Sequence, residues 1–597
     1  TVHTSPGPTC GTFSHLWLSL IGSEGETPPI RVTDGNSHLL PGLILVRLRL
    51  EVQTRFPNLD WHCSRVEVCR LTKGQGSDSE TQVFLCDRWL RPADGDVELR
   101  WRIFVDGAPQ CVDVNSLSEL GPNLLYTQKP ATNLYYLNGF TTRVESWKSF
   151  SELEMIFTYS AQQNGIAFVK AHWMEDWYFG YQCLNGSNPL MLRQTRHLPP
   201  NLSVTSDMLR PFLPEGSSLE KELQKGNIYL LDYEVLDGLP ANVINEKQTY
   251  LSAPLCLLHL NQQGQLLPIA IQLQQKPGPH NPVFLPSDSG YDWLLAKMWV
   301  HSADFQCHQL ISHYLRTHMM AELCCVATLR QLPDAHPLHQ LLLPHVKTSL
   351  KINFGARASL LASKGLFDQA VGSGLETLPL LLCRGSARIS YRTLCVPEDL
   401  RDRGVDKLPQ SFYAQDALRI WDTVHFVTGW VDLYYHGDDA VQRDPELHFP
   451  QRFHTRAEVA TFVTALIYSC SALHAAVNFS QLDFAFWVPN CPVAMLRPPP
   501  QVKGAVTEDD IMSFLPDVNT TCRVLMALNG LSQPAIDFLQ VPLCHYKEAI
   551  FRDGAHRRLL EEVQAQLRDI SDAIAERNSQ LELPYPYLSP ERIENSV

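Results

Sequence analysis

Three histidines, His308, His313 and His318, recur at five-residue intervals in a stretch almost free of charge. Imidazole is the commonest protein ligand of transition metals, so one reading is a metal site. The other is three histidines, each satisfied separately inside a core. In a regular α-helix, residues five apart point about 140° away from each other, so His313 and His318 would not share a face. Either they form no joint site, or a π-type bulge between them corrects the register, as such bulges do at functional sites. A second pair, His474 and Asn478, is four apart, so both project from one helical face. A buried imidazole and a buried amide need partners. Inward side chains from two facing helices are how helical domains build metal sites. No HExxH pattern is present and no cysteine accompanies these histidines at ligand spacing. Imidazole with oxygen donors suits iron, manganese or nickel better than a closed structural zinc site.

Two long elements must carry these residues. Residues 303–332 contain no Gly or Pro, stop at Pro333 and hold only four charges, Asp304, Arg316, Glu322 and Arg330. Such a helix would span about 45 Å and be buried on nearly all sides. Residues 459–479 contain no Asp, Glu, Lys or Arg, and Thr455 with Glu458 forms a capping box ahead of them. That run is long enough to cross a bilayer. Its Thr461, Thr464, Ser469, Ser471, His474 and Asn478, and the lack of a second span, favour a central helix of a large helical domain. The first hundred residues differ. Short apolar runs at 16–21, 43–50 and 66–71 alternate with turn-rich stretches, which predicts a β-sandwich.

At 597 residues the chain exceeds what one core supports, so at least two domains are expected. The net charge of −14 argues against a general nucleic-acid binder, which needs a basic face. Sixteen cysteines without a CxxC pair fit reduced cytosolic thiols rather than a disulfide framework. Sequons at Asn185, Asn201, Asn478 and Asn519 are few enough to arise by chance. The chain opens on Thr1, not Met, which leaves room for a preceding segment.

The stretch from His308 to His318 resembles the lipoxygenase signature H-x4-H-x4-H, and Ser471 to Asn478 resembles the family's second iron-binding segment. Phe179-Gly180-Tyr181-Gln182, Asp292-Trp293-Leu294-Leu295-Ala296-Lys297, Arg330-Gln331-Leu332-Pro333 and Trp487-Val488-Pro489-Asn490 also match. The resemblance covers nearly the whole chain. It implies a PLAT-like N-terminal sandwich over 1–100, docking on membranes and often binding calcium. A large, mainly α-helical catalytic domain would occupy 101–597. It further implies a cytoplasmic enzyme with reversible membrane association and one non-haem iron. Its action on an arachidonate-like polyunsaturated fatty acid would be hydrogen abstraction from a bis-allylic carbon, followed by O2 addition.

Carried over by position, His313, His318 and His474 resemble the iron ligands and Asn478 the weaker fourth one. His308 matches a histidine outside the metal's coordination sphere, and Gln309 and Gln481 match glutamines that orient the ligands. Leu360, Ala370 and Val371 match channel positions. Ala356 matches the position where alanine accompanies S products and glycine R products. Ala370 with Val371 resembles arachidonate 12S-lipoxygenases, and the stretch from Ser411 to Leu418 resembles the 12/15 group. Tyr587 to Pro590 and Asn478-Phe479 resemble 5-lipoxygenases.

The chain departs from the pattern in places. Family members end in an isoleucine whose carboxylate binds iron, whereas this chain is written to Val597, two residues short of that pattern. Two residues span about 7 Å, so the Val597 carboxylate is not expected to replace it. Segments near 34–43, 100–101 and 446–456 look short, and Gly355 stands where many relatives carry Lys or Arg. Two alternatives to a dioxygenase follow. One is a fatty-acid hydroperoxide isomerase on the same fold, and the other is an inactive membrane-docking interaction protein.

Overall fold

The computed structural model describes residues 2–4, 15–22, 25–32, 43–51, 60–69, 81–92, 96–100, 134–155, 164–332, 336–443, 453–534, 542–546 and 554–597. The expected short segments near 34–43 and 446–456 fall mostly outside these residues, as does Trp101 beside Arg100.

The strands up to residue 100 form two antiparallel sheets. One orders Val2–Thr4, Trp61–Cys69 and Thr81–Leu90; the other orders Gly25–Glu26, His15–Gly22, Leu43–Glu51 and Asp96–Arg100, with Ile30–Arg31 on the edge of His15–Gly22. Alternation decides what faces inward. Val46, Leu48 and Leu50 of one sheet meet Trp61, Cys63, Val66, Phe84 and Leu90 of the other in one core. A register shift between Cys63 and Arg65 lets Cys63 and Val66, three apart, both point inward. The expected sandwich is therefore present.

From residue 134 onward helices dominate. Sequence periodicity did not foresee a five-stranded antiparallel sheet among them. It orders Val283–Phe284, Leu266–Gln272, Leu255–Leu260, Ile228–Asp232 and Arg193–Gln194. Helix Asp176–Asn185 lies so close to it that a Cβ on Gly180 would sit 1.6 Å from the Leu266 carbonyl oxygen. Only glycine permits that approach.

The first histidine helix is longer than its charge-poor run suggested. It begins at Gly290, capped by the Ser289 hydroxyl, and continues unbroken to Gln331. Its extra turns are buried and include Lys297, which is satisfied by Asp176 at 2.7 Å and the Met174 carbonyl. The second begins at Arg456 with the Thr455–Glu458 capping box and passes through Phe479. Its most apolar stretch is long enough to cross a membrane, yet 89% of it is buried inside the protein. It is thus packed as a core helix. Asn185, Asn478 and Asn519 are buried, which removes three of the four sequons from consideration as glycan sites. From Cys183 to Cys544 the cysteines are free thiols.

Candidate metal centre

Both histidine helices change their winding where they meet. Residues His308–Met319 form a π-helix, flanked by α-helix on either side. Bonding from i to i+5 makes residues five apart neighbours on adjacent turns, which supplies the correction that α geometry denies to His313 and His318. Ser469–Leu473 is a second, shorter π segment immediately before His474. The two segments pack against each other, and the helix His474–Phe479 packs against the first.

The result is a cluster of His313, His318 and His474 whose ligand nitrogens all lie within 4.8 Å of one another. His313 and His318 face each other through their Nε2 atoms at 3.2 Å. Ring centroids stand 4.9 Å apart for His313–His318 and His318–His474, and 5.4 Å for His313–His474. His313 and His474 are buried and His318 is half-buried.

A neighbouring amide fixes which nitrogen of His318 points into the cluster. His318 Nδ1 lies 3.1 Å from Asn353 Oδ1. The Asn353 amide cannot be reversed, because its Nδ2 donates to the His318 carbonyl at 2.8 Å and to Glu322 Oε2 at 2.6 Å. An amide oxygen only accepts, so His318 carries its proton on Nδ1 and presents the Nε2 lone pair inward. Arg357 closes this chain by donating to Glu322 at 2.8 Å. Asn353, Glu322 and Arg357 escaped the sequence reading; the signal for Asn353 was a polar residue three before Ala356, on the neighbouring surface of the same helix.

His308 is occupied otherwise. Its Nε2 donates to the Val477 carbonyl at 2.8 Å and its Nδ1 accepts from Gln309 at 3.1 Å. Burial pushes its pKa down to about 4, so the ring is neutral. With both nitrogens engaged it ties the two helices together instead of joining the cluster. Gln309 Nε2 also donates to Gln481 Oε1 at 3.0 Å, Gln481 Nε2 to Asn478 Oδ1 at 2.9 Å, and Asn478 Nδ2 to the Leu531 carbonyl at 2.9 Å. Asn478 therefore turns its amide oxygen toward Gln481 and keeps one further lone pair. Three imidazole nitrogens with an amide oxygen in reserve fit a transition-metal ion and leave coordination positions for other ligands.

The C-terminal segment runs past the same region. Val597 is buried and its carbonyl oxygen accepts from Thr348 Oγ1 at 2.8 Å; His345 Nδ1 donates to the Asn595 carbonyl at 3.0 Å. Thr348 directly precedes helix Ser349–Ala358, which carries both Asn353 and Ala356. Leu360 follows in the next turn, half-buried like Ala356. Ala370 and Val371 are fully buried at the end of helix Leu366–Ala370. Gly355 is exposed, with open space where a Cβ would stand. One small apolar cavity lies between Thr328, Leu338, Leu342 and Val463, and another is lined by Arg316, Ser469 and Leu473 of the two π segments together with Asp399 and Tyr468.

Comparison with known proteins finds relatives along the whole chain. The lipoxygenase family model matches residues 133–585. Human hydroperoxide isomerase ALOXE3 is 37% identical over 100% of this chain and 99% of its own. Rat hydroperoxide isomerase ALOXE3 is 42% identical over 98% of each chain. Mouse arachidonate 12-lipoxygenase, 12R-type, is 35% identical over 98% of this chain and 97% of its own. Among solved structures, coral 8R-lipoxygenase superposes with a TM-score of 0.88 at 28% identity, covering 100% of this chain and 99% of that one. A lipoxygenase crystallised with arachidonate gives 0.87 at 28%, covering 100% and 98%. Fold, histidine cluster and full-length similarity converge: this chain belongs to the lipoxygenases, oxidoreductases that dioxygenate polyunsaturated fatty acids.

Proposed function

We propose that this protein is a non-haem iron dioxygenase that converts an arachidonate-like fatty acid to its S-hydroperoxide, with iron held by His313, His318, His474 and, more weakly, Asn478. The observation that carries this is the convergence of three imidazoles through a π-helix. An iron ion there would supply one-electron redox chemistry for hydrogen abstraction from a bis-allylic carbon. The chain's own residues do the rest. Asn353 sets the His318 tautomer, and His308, Gln309 and Gln481 hold the two helices in register. Leu360, Ala370 and Val371 shape an apolar channel that presents one methylene and keeps water out. Ala356 lies one helical turn from Asn353, beside the His318 partner, where a methyl group steers O2 toward one face of the pentadienyl radical.

The N-terminal sandwich serves as a PLAT-like module for reversible, calcium-assisted docking of a cytoplasmic enzyme on membranes. Its division from the catalytic domain near residue 100 follows the change from strands to helices. A second reading, hydroperoxide isomerase, is favoured by the identity to relatives carrying that name. Incubation with arachidonate under O2, with products resolved by position and chirality, tests the first. Conjugated-diene S-hydroperoxide with O2 uptake supports it. Turnover of an added hydroperoxide without O2 uptake, and none of arachidonate, replaces it with the second.

A further inference from the structure

The π-helix needs something to hold its register, because i to i+5 winding is intrinsically unfavourable in long runs. His308, Gln309 and Asn353 account for one side. On another, Ser312 directly precedes His313, and its hydroxyl behaves unlike its neighbours. Thr317, Thr464, Ser471 and Ser480 all donate to the carbonyl four residues back in their own helices. That is the usual refuge of a buried hydroxyl in a helix. Ser312 Oγ instead leaves its helix and donates to Asn188 Oδ1 at 2.7 Å.

Asn188 is fixed from behind. Its Nδ2 donates to Asp304 Oδ1 at 2.7 Å, and the same oxygen accepts from the Tyr233 hydroxyl at 2.9 Å. Asp304 lies on the helix that carries Ser312, eight residues earlier. The Asn188 amide thus bridges two points of one helix across the boundary where α winding becomes π. Asn188, Ser312 and Tyr233 are each at most 4% exposed. A buried polar chain of this kind is rigid when every member is satisfied and costly when one is removed.

We propose that Asn188 is a positioning residue: clamped by Asp304 and Tyr233, it holds Ser312 and so fixes the π turn that brings His313 opposite His318 and His474. The consequence for iron rests on the functional reading above; the consequence for the helix does not.

Two measurements on the full-length protein separate them. Amide hydrogen exchange of the metal-free protein, resolved to residues 308–319, reports the helix alone. Iron retention against a chelator, with the ferric electron paramagnetic resonance signal, reports the site. The variants are Asn188→Ala, Ser312→Ala and the reciprocal swap Asn188→Asp with Asp304→Asn, which restores a donor and an acceptor in exchanged places. Gln272→Ala is the control, since it removes an equally buried amide in the five-stranded sheet. Asn188→Ala and Ser312→Ala should speed exchange across 308–319, alter the ferric signal and weaken iron retention roughly ten- to a hundred-fold. The swap should recover both, and the control should do neither. Unchanged exchange across 308–319 in Asn188→Ala, or equal change in the control, overturns the proposal. If the wild-type chain holds no iron, the functional reading fails while exchange still decides the role of Asn188.

Discussion

The two helices that meet at the histidine cluster are both unwound, but to different extents and for different ends. The segment His308–Met319 spans twelve residues and brings two histidines of one helix onto one face. The segment Ser469–Leu473 spans five and carries none of the clustered histidines. It re-aims the α-helix that follows, so that His474 and Asn478, already on one face, swing toward the first helix together. Long π segments are uncommon because their hydrogen-bond geometry is rare and needs outside support. The longer one is accordingly the more heavily braced, through His308, Gln309, Ser312 and His318 to Val477, Gln481, Asn188 and Asn353. One helix is distorted to make two of its histidines converge; the other is distorted only to deliver a third.

The largest effects should come from breaking the cluster on each side. His318→Ala should abolish both bound iron and activity. Asn478→Ala should retain some iron, since its amide oxygen is already engaged by Gln481. Metal analysis of the purified variants checks both, and equal loss would erase the distinction between the two helices. Next, Gln481→Ala removes the bridge from Gln309 to Asn478 and should weaken iron retention roughly ten- to a hundred-fold, as expected for a group that orients a ligand. A chelator competition reads this directly.

Smaller effects probe packing around the longer segment. A Cβ on Gly385 would meet side-chain atoms of Ile311 and Leu315 at 3.0 and 3.1 Å. Gly385→Ala should cost about 1–3 kcal/mol of stability by overcrowding and leave iron content intact. Thermal melting with metal analysis tests it. At neutral pH the smallest effect should come from His345, which burial holds neutral with its pKa lowered to about 4. The unfolded chain binds a proton near 6.5, the folded one only near 4, so this contribution is full above 6.5 and lost as pH falls toward 4. His345→Asn should flatten the stability curve in that window, and an unchanged slope would contradict it.

These particulars show what the sequence disclosed. Five-residue spacing on one helix is incompatible with a joint α-helical site, so arithmetic left two readings, no joint site or a distorted helix, and the π-helix His308–Met319 realises the second. The distortion before His474 was not, because His474 and Asn478 at i and i+4 satisfy regular geometry. Alternating apolar runs revealed the N-terminal sandwich, but the five-stranded sheet stayed hidden, since Leu255–Leu260 is buried on both faces and shows no alternation. Asn353, Asn188 and Asp304 were invisible as functional candidates because their partners lie on other elements. The channel positions Ala370 and Val371 pointed toward 12S members, and Tyr587 to Pro590 with Asn478-Phe479 toward 5-lipoxygenases, whereas relatives matched along nearly the whole chain include 12R and isomerase types.

Catalytic iron in the histidine cluster can be read without any substrate. The most direct measurement is iron content and the ferric electron paramagnetic resonance signal of the chain expressed with added iron, beside His318→Ala. One iron per chain with a high-spin ferric signal in the wild type, and neither in the folded variant, is the predicted result. A folded wild-type chain without iron, or a variant that keeps it, would contradict the account.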